Sequence, residues 1–307
     1  MSILRLLVIL ACLFPAVLSH ASCAGRSITT YVEPGPICIQ DRASRVVVVD
    51  PFYNLGMALE LGVPVVGAPL TSTPDADLRR RASTFATDIG DARQPSLERI
   101  VALKPDLIIG DAQLQGQLYE RLARIAPTAL IRAGSWKENL TALADITGKS
   151  DVAAKALDEF EARAAAIRRR MVGDTKVSVI RIATHGFHVY LDGPAAYAPY
   201  AVLHEAGVRR TPYETTDGDA VFRRPDWEEI ASLDGDILLY VVAAGNAAGQ
   251  DEALEAATLA NPFWQMLPSV RSGHAYRVDK AHWFGFNSIA SAHRVLDDVE
   301  RYILDGR

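Results

Sequence analysis

Short β-branched runs alternate with stretches of helical spacing along most of the chain. The run Arg45-Val-Val-Val-Val-Asp50 shows no polar alternation and stops at Pro51, so 45–50 reads as a strand buried on both faces. Residues 53–61 read as a helix and 63–68 as a second strand. Helix 95–103, with Pro95 near its first turn, leads to strand 106–110, helix 113–125 and strand 128–132. Strands alternating with helices predict a parallel sheet covered on both faces.

Segment 149–173 breaks this rhythm. Val152, Ala156, Leu157, Phe160, Ala164, Ile167 and Met171 step by three or four, the apolar stripe of one amphipathic helix. Ser150 is the expected N-cap and Gly173 the expected stop. Such a helix spans about 34 Å at about 1.5 Å per residue, long enough to bridge two lobes. The alternation then restarts, with strands at 176–182, 187–191, 236–242 and 274–278. A helix is expected at 198–206 and a closing one at 287–304.

The restart repeats sequence as well as class. Residues 97–109 and 227–239, offset by 130, both read apolar-Glu-x-Ile-x-x-Leu-x-x-Asp and then three strand-forming apolar residues. Glu98 lies opposite Glu228, and Asp106 opposite Asp236. Two copies flanking one long helix predict two similar α/β lobes related by a pseudo-twofold. The expected organisation is therefore leader 1–24, N-terminal lobe 25–148, linker helix 149–173 and C-terminal lobe 174–307.

The leader assignment rests on Arg5, the apolar run 6–18, and small residues at Ser19, Ala21, Ser22 and Ala24. Thirteen apolar residues fall short of a membrane span, and no later stretch is apolar for eighteen. Cleavage fits after Ala21 or after Ala24. The first leaves Cys23 and Cys38 as a candidate disulfide in an oxidising compartment, closing a loop worth about 3 kcal/mol in the chain-entropy model. The second removes Cys23, and a third reading makes Cys23 a lipidated residue.

Composition narrows the class. The 307 residues carry 32 Lys and Arg against 37 Asp and Glu, a net charge of -5, and are 49% apolar. That excludes disorder as the main state, and offers no cationic excess for nucleic acid. Gly-x-Gly-x-x-Gly, P-loop and Gly-x-Ser-x-Gly motifs are absent, which argues against an α/β enzyme. His185 and His188, three apart around a strand, are expected on opposite faces and so make poor joint metal ligands. Asp88 and Asp91 read as turn residues, and Arg79-Arg80-Arg81 as a solvated helix face.

Several stretches resemble the substrate-binding proteins of ABC importers for ferric siderophores, in the ferric-citrate and vitamin B12 binding-protein superfamily. They include Arg45-Val-Val-Val-Val-Asp50, Asp88-Ile-Gly-Asp91, Pro95-Ser-Leu-Glu98, Leu103-Lys-Pro-Asp-Leu-Ile-Ile-Gly110 and Ile125-Ala-Pro-Thr128. Asn261-Pro-Phe-Trp264, Leu267-Pro-Ser-Val270 and His282-Trp-Phe-Gly285 complete the ordered set, which covers about residues 42 to 305. The resemblance implies two Rossmann-like lobes joined by a long helix, a ligand cleft between them, and no catalysis. It implies a ferric siderophore as ligand, no cofactor, no resident metal, and a monomer that meets an inner-membrane permease from the periplasm. Haem or cobalamin is the alternative cargo for the same fold.

α/β sheets bind ligands outside the carboxyl ends of their strands. That rule selects Phe52, Tyr53, Asp111, Trp136, Arg181, Tyr197, Trp283 and Phe284. Arg181 is the leading candidate, because the resembling proteins place an Arg in that strand and a guanidinium pairs with chelate oxygens. Its alternative is a structural Arg pairing with a nearby Asp. For Tyr53 and Trp283 the alternative is core packing. The resemblance gives Glu98 and Glu228 a role in docking on the permease. The alternative is that Glu simply favours a helix start.

Overall fold

A computed structural model describes residue 23 and residues 25–245 and 249–306. The expected leader, apart from Cys23, lies outside the described residues. The N-terminal lobe contains Arg26–Ile28 (β1), Val32–Glu33 (β2), Ile37–Ile39 (β3), Val46–Val48 (β4), Val65–Ala68 (β5), Thr87–Asp88 (β6), Leu107–Asp111 (β7) and Thr128–Ile131 (β8). Its helices are Asn54–Glu60 (α1), Ala76–Ala82 (α2), Leu97–Ala102 (α3), Ala112–Gln115 (α4), Tyr119–Ala123 (α5) and Trp136–Thr147 (α6). The sheet order is β2-β8-β7-β4-β5-β6, parallel except for β2, while β1 and β3 pair as a separate hairpin. Cys23 and Cys38 are joined by a disulfide beside that hairpin, with Cα atoms 5.5 Å apart.

Helix α6 follows the expected strand 128–132 but was not foreseen by the spacing. It ends in a Schellman motif: Gly148 is left-handed (φ 68), its N–H bonds Asp145, and the Lys149 N–H bonds Ala144. The next helix, Ser150–Arg170 (α7), begins at once. Ser150 is therefore already inside α7 and is not its cap. The buried stripe of α7 is Ala153, Phe160, Ala164 and Ile167, with Val152 46% exposed and off the stripe. The expected helix 113–125 is broken at Gln115. Its buried amide bonds the Asp111 N–H and the carbonyls of Val49 and Ala92, plugging the strand ends at the cost of helical geometry.

The C-terminal lobe contains Lys176–Ala183 (β9), Gly186–Tyr190 (β10), Arg209–Arg210 (β11), Phe222–Arg223 (β12), Ile237–Val242 (β13) and Ala275–Arg277 (β14). Its helices are Ala198–Glu205 (α8), Gln250–Leu259 (α9), Pro262–Gln265 (α10), Pro268–Arg271 (α11), Lys280–Trp283 (α12) and Ile289–Asp298 (α13). The expected 287–304 helix widens after Asp298 into a π-helical stretch, Val299–Leu304.

This sheet runs β12-β10-β9-β13-β14, with β11 also beside β9. It is not purely parallel as expected: β10 pairs antiparallel with β9, and β12 with β10. The reason is reach. Only Thr184 and His185 separate β9 from β10, and a parallel crossover needs a dozen or more residues.

The 130-residue repeat is visible in the sheets. Asp106 accepts the N–H groups of Ser44 (2.7 Å) and Arg45 (3.0 Å) at the start of β4, and Asp236 accepts Lys176 N–H (2.8 Å) at the start of β9. In each lobe the repeated Asp thus pins its own strand to the central neighbour. Ile100 and Ile230 are both fully buried beneath their strands. The first copy is helical, whereas the second closes as a 3-10 turn, Glu229–Ser232.

Candidate functional site

Arg181 stands near the carboxyl end of β9 and is 8% exposed. It faces His188 across the β9–β10 ladder and Val241 across the β9–β13 ladder. Its guanidinium lies 4.4 Å from the Phe284 ring centre and 5.6 Å from that of Tyr190. Its Nε has no hydrogen-bond partner. Along the same face, His188 is followed by Tyr190, which registers with Phe222 of β12. Arg224, two residues on, lies over the Phe222 ring at 5.2 Å.

His185 and His188 are neighbours, their rings 5.1 Å apart and edge to face. The expectation of opposite faces fails because His185 sits in the turn before β10, where strand alternation does not apply. No group of three or more metal-binding side chains occurs among the described residues. His188 is buried, and burial together with Arg181, Arg224 and His185 pushes it down to about 4. It is therefore neutral near pH 7.

The N-terminal lobe supplies the facing wall. Asp50 is buried and accepts the backbone N–H groups of Phe52, Tyr53 and Asn54, so it fixes the turn that aims Tyr53. Burial lifts Asp50 to about 6 despite those donors. Burial, then Asp50 and Asp111, push Tyr53 up to about 12. The Tyr197 hydroxyl, across the gap, acts weakly against that rise. Tyr197 donates to the Phe284 carbonyl at 2.7 Å and stacks on Tyr190 at 5.3 Å. Asp111 caps α4 through Leu114 N–H, and Phe52 is 40% exposed at the rim. Beside this cluster, a cavity of about 250 Å³ opens between Pro74 and Ala76 of one lobe and Ala243, Lys280 and Phe284 of the other.

Two expected site residues lie elsewhere. Trp136 starts α6 with its ring 4% exposed, wedged against Phe160 (5.1 Å) and Phe286 (5.7 Å). Trp283 is fully buried, its indole N–H donating to Asp298 at 2.7 Å. Both are core residues packed around the helices. Conversely, His188, Tyr190, Phe222 and Arg224 lie on the same face as Arg181 and were not selected. The signal was available, since a two-residue link forces a hairpin and puts His188 beside Arg181.

Glu98 and Glu228 are both exposed at the starts of their repeat units. Ser96 and Asp226 make the local capping bonds there, so neither Glu is needed as a cap. Asp88 and Asp91 accept N–H groups of their own turns.

Two α/β lobes, a helical strut and a cationic, aromatic gap define a protein built to hold a solute rather than transform it. The chain belongs to the periplasmic binding protein family, whose model matches residues 46–281. The probable siderophore-binding lipoprotein YfiY of Bacillus subtilis is 29% identical, over 80% of this chain and 78% of its own. The iron(3+)-hydroxamate-binding protein FhuD of the same organism is 28% identical, over 85% and 82% respectively. Among solved structures, Staphylococcus aureus SirA complexed with staphyloferrin B superposes with a TM-score of 0.78 at 22% identity. That match covers 91% of this chain and 98% of SirA.

Proposed function

We propose that this chain is the extracytoplasmic solute-binding component of an ABC importer, capturing a ferric siderophore and passing it to an inner-membrane permease. The observation that carries this reading is Arg181: a buried guanidinium with a free Nε, framed by Phe284 and Tyr190 at the strand ends between two lobes. Phe52, Tyr53, Asp111, Tyr197 and Phe284 complete the ligand-contacting set, and Glu98 with Glu228 form the permease contact. The relatives named for siderophores support the same reading.

The experiment is calorimetric titration of the mature protein with ferric siderophores, haem and cobalamin. Saturable, submicromolar binding of a ferric siderophore alone is expected. Binding of haem or cobalamin alone overturns the reading.

Export through a cleaved leader belongs to the same proposal. The Cys23–Cys38 bridge favours removal before Cys23, because cleavage after Ala24 discards one half-cystine. A lipid thioether and this disulfide also compete for one sulfur, so a bridged Cys23 stands for a free periplasmic protein. Intact mass of the exported protein, before and after reduction, checks this. A gain of two hydrogen atoms on reduction is expected, and a diacylglyceryl mass on Cys23 contradicts it.

A further inference from the structure

The buried cation of the C-terminal wall is treated differently from other cations that are wholly or partly buried. Lys137, Arg163, Arg170, Arg210, Arg277 and Lys280 each meet a carboxylate within 4 Å. Arg210 and Glu214, both with fully buried side chains, show that this fold neutralises an interior guanidinium with an acid. Arg181 is nine-tenths buried, yet no carboxylate within 4 Å pairs with it among the described residues, and the exposed Arg224 over the Phe222 ring has none either. Leaving a charge buried and unpaired is strongly unfavourable. His188 is also buried with its Nδ1 unpartnered. A wall with one buried, unneutralised guanidinium, a second at its exposed edge and an idle imidazole nitrogen is completed by an anion.

The opposite wall does not supply one. Both Asp50 oxygens are already engaged by three backbone amides, and Asp111 is engaged by Leu114 N–H. The N-terminal lobe's acids therefore serve their own turns, while the C-terminal lobe's cations wait.

Resting on the binding function above, we propose that this site selects a net-negative ferric chelate, its oxygens set against Arg181 and Arg224, over an uncharged one. Three hydroxamates balance iron(III) and leave a neutral complex, whereas tris-catecholate and α-hydroxycarboxylate chelates keep surplus negative charge. The guanidinium planes supply paired N–H donors to such oxygens, and Tyr190, Phe222 and Phe284 hold those planes in position. This chain thus differs in cargo from its relative named for hydroxamates.

The test is titration of the mature protein with ferric dicitrate, iron(III) tris-catecholate and ferrichrome, an uncharged ferric trihydroxamate. The anionic chelates are expected to bind at least about tenfold tighter than ferrichrome and to weaken as salt rises. Arg181→Gln is expected to cost an anionic chelate about a hundredfold and ferrichrome less than about threefold. Arg181→Lys, which keeps the charge, restores part of the loss, and an unchanged melting temperature shows that either variant is folded. Equal binding of all three chelates, with Arg181→Gln weakening them alike, overturns the charge selection and leaves siderophore binding intact. Failure of every ferric chelate to bind the folded protein overturns the underlying function and this selection with it.

Discussion

Gly56 shows how tightly the lobes meet. It lies on α1 of the N-terminal lobe, and a Cβ there would sit 2.4 Å from the Asn287 carbonyl oxygen and 2.7 Å from its side-chain oxygen. Gly56→Ala must therefore push α1 off the approach to α13, at a cost of about 1–3 kcal/mol. Urea denaturation is expected to register that loss, and an unchanged midpoint argues against the close contact. His188 makes a separate prediction. Its folded value of about 4 lies below the ordinary imidazole value of 6.5, so the unfolded chain binds more protons between the two. Stability then falls as pH drops through that window. Asp50, raised to about 6, acts in the opposite sense between about 6 and 3.8. His188→Gln should flatten the acid-side loss, measured as urea midpoints at pH 7 and pH 5. Single residues were unevenly legible. The strand-end rule picked Arg181, Tyr53, Tyr197 and Phe284, which the structure brings together, because a strand's end fixes where its next side chain emerges. It misplaced Trp136 and Trp283, because it does not say which face of the following helix a large ring takes.

At the scale of elements, spacing located the central strands and the long helix, and erred where a short connection decided the outcome. The 3.6-residue period over Phe160, Ala164 and Ile167 is strong enough to identify α7 without help. The link of Thr184 and His185 is not a period at all, and it alone turns β10 around and builds the site's cationic face. Helix α6 was hidden because its Schellman stop runs directly into α7, leaving no loop to separate two patterns. The packing of these two helices is testable. Phe160 is fully buried against Trp136, and Lys137 lies 5.1 Å from the Phe160 ring centre. Phe160→Ala is expected to lose about 3–5 kcal/mol of folding stability. A loss under about 1 kcal/mol would mean that the linker helix is not held through this ring.

For the molecule as a whole, the linker is fastened to both lobes near its middle. Lys137 of α6 reaches Glu161 of α7 (2.9 Å) and Glu205 of α8 (2.6 Å), tying one lobe to the strut and the other. Arg163 reaches Asp297 and Glu300 at the far side of the C-terminal lobe. Glu60 of α1 accepts the Ile289 N–H at the start of α13, a direct lobe-to-lobe bond. A frame clamped at these points is expected to close by small displacements, which would keep the separation of Glu98 from Glu228 nearly constant between empty and loaded states. Constant spacing matters if a two-fold permease reads both acids together. One exposed ion pair contributes only about 0–1 kcal/mol. Two pairs engaged at once multiply rather than add in affinity, provided the geometry lets both close. Glu98→Ala and Glu228→Ala should therefore each lower iron-siderophore uptake by about two- to fivefold, and the double variant by about four- to twenty-five-fold. Chelate affinity of the purified variants should not change, since both residues lie outside the cleft. Uptake assays on cells carrying each variant, paired with titration of the same proteins, separate docking from binding. Full uptake by the double variant would remove the acidic pair from the docking surface, even with the cleft chemistry left as described.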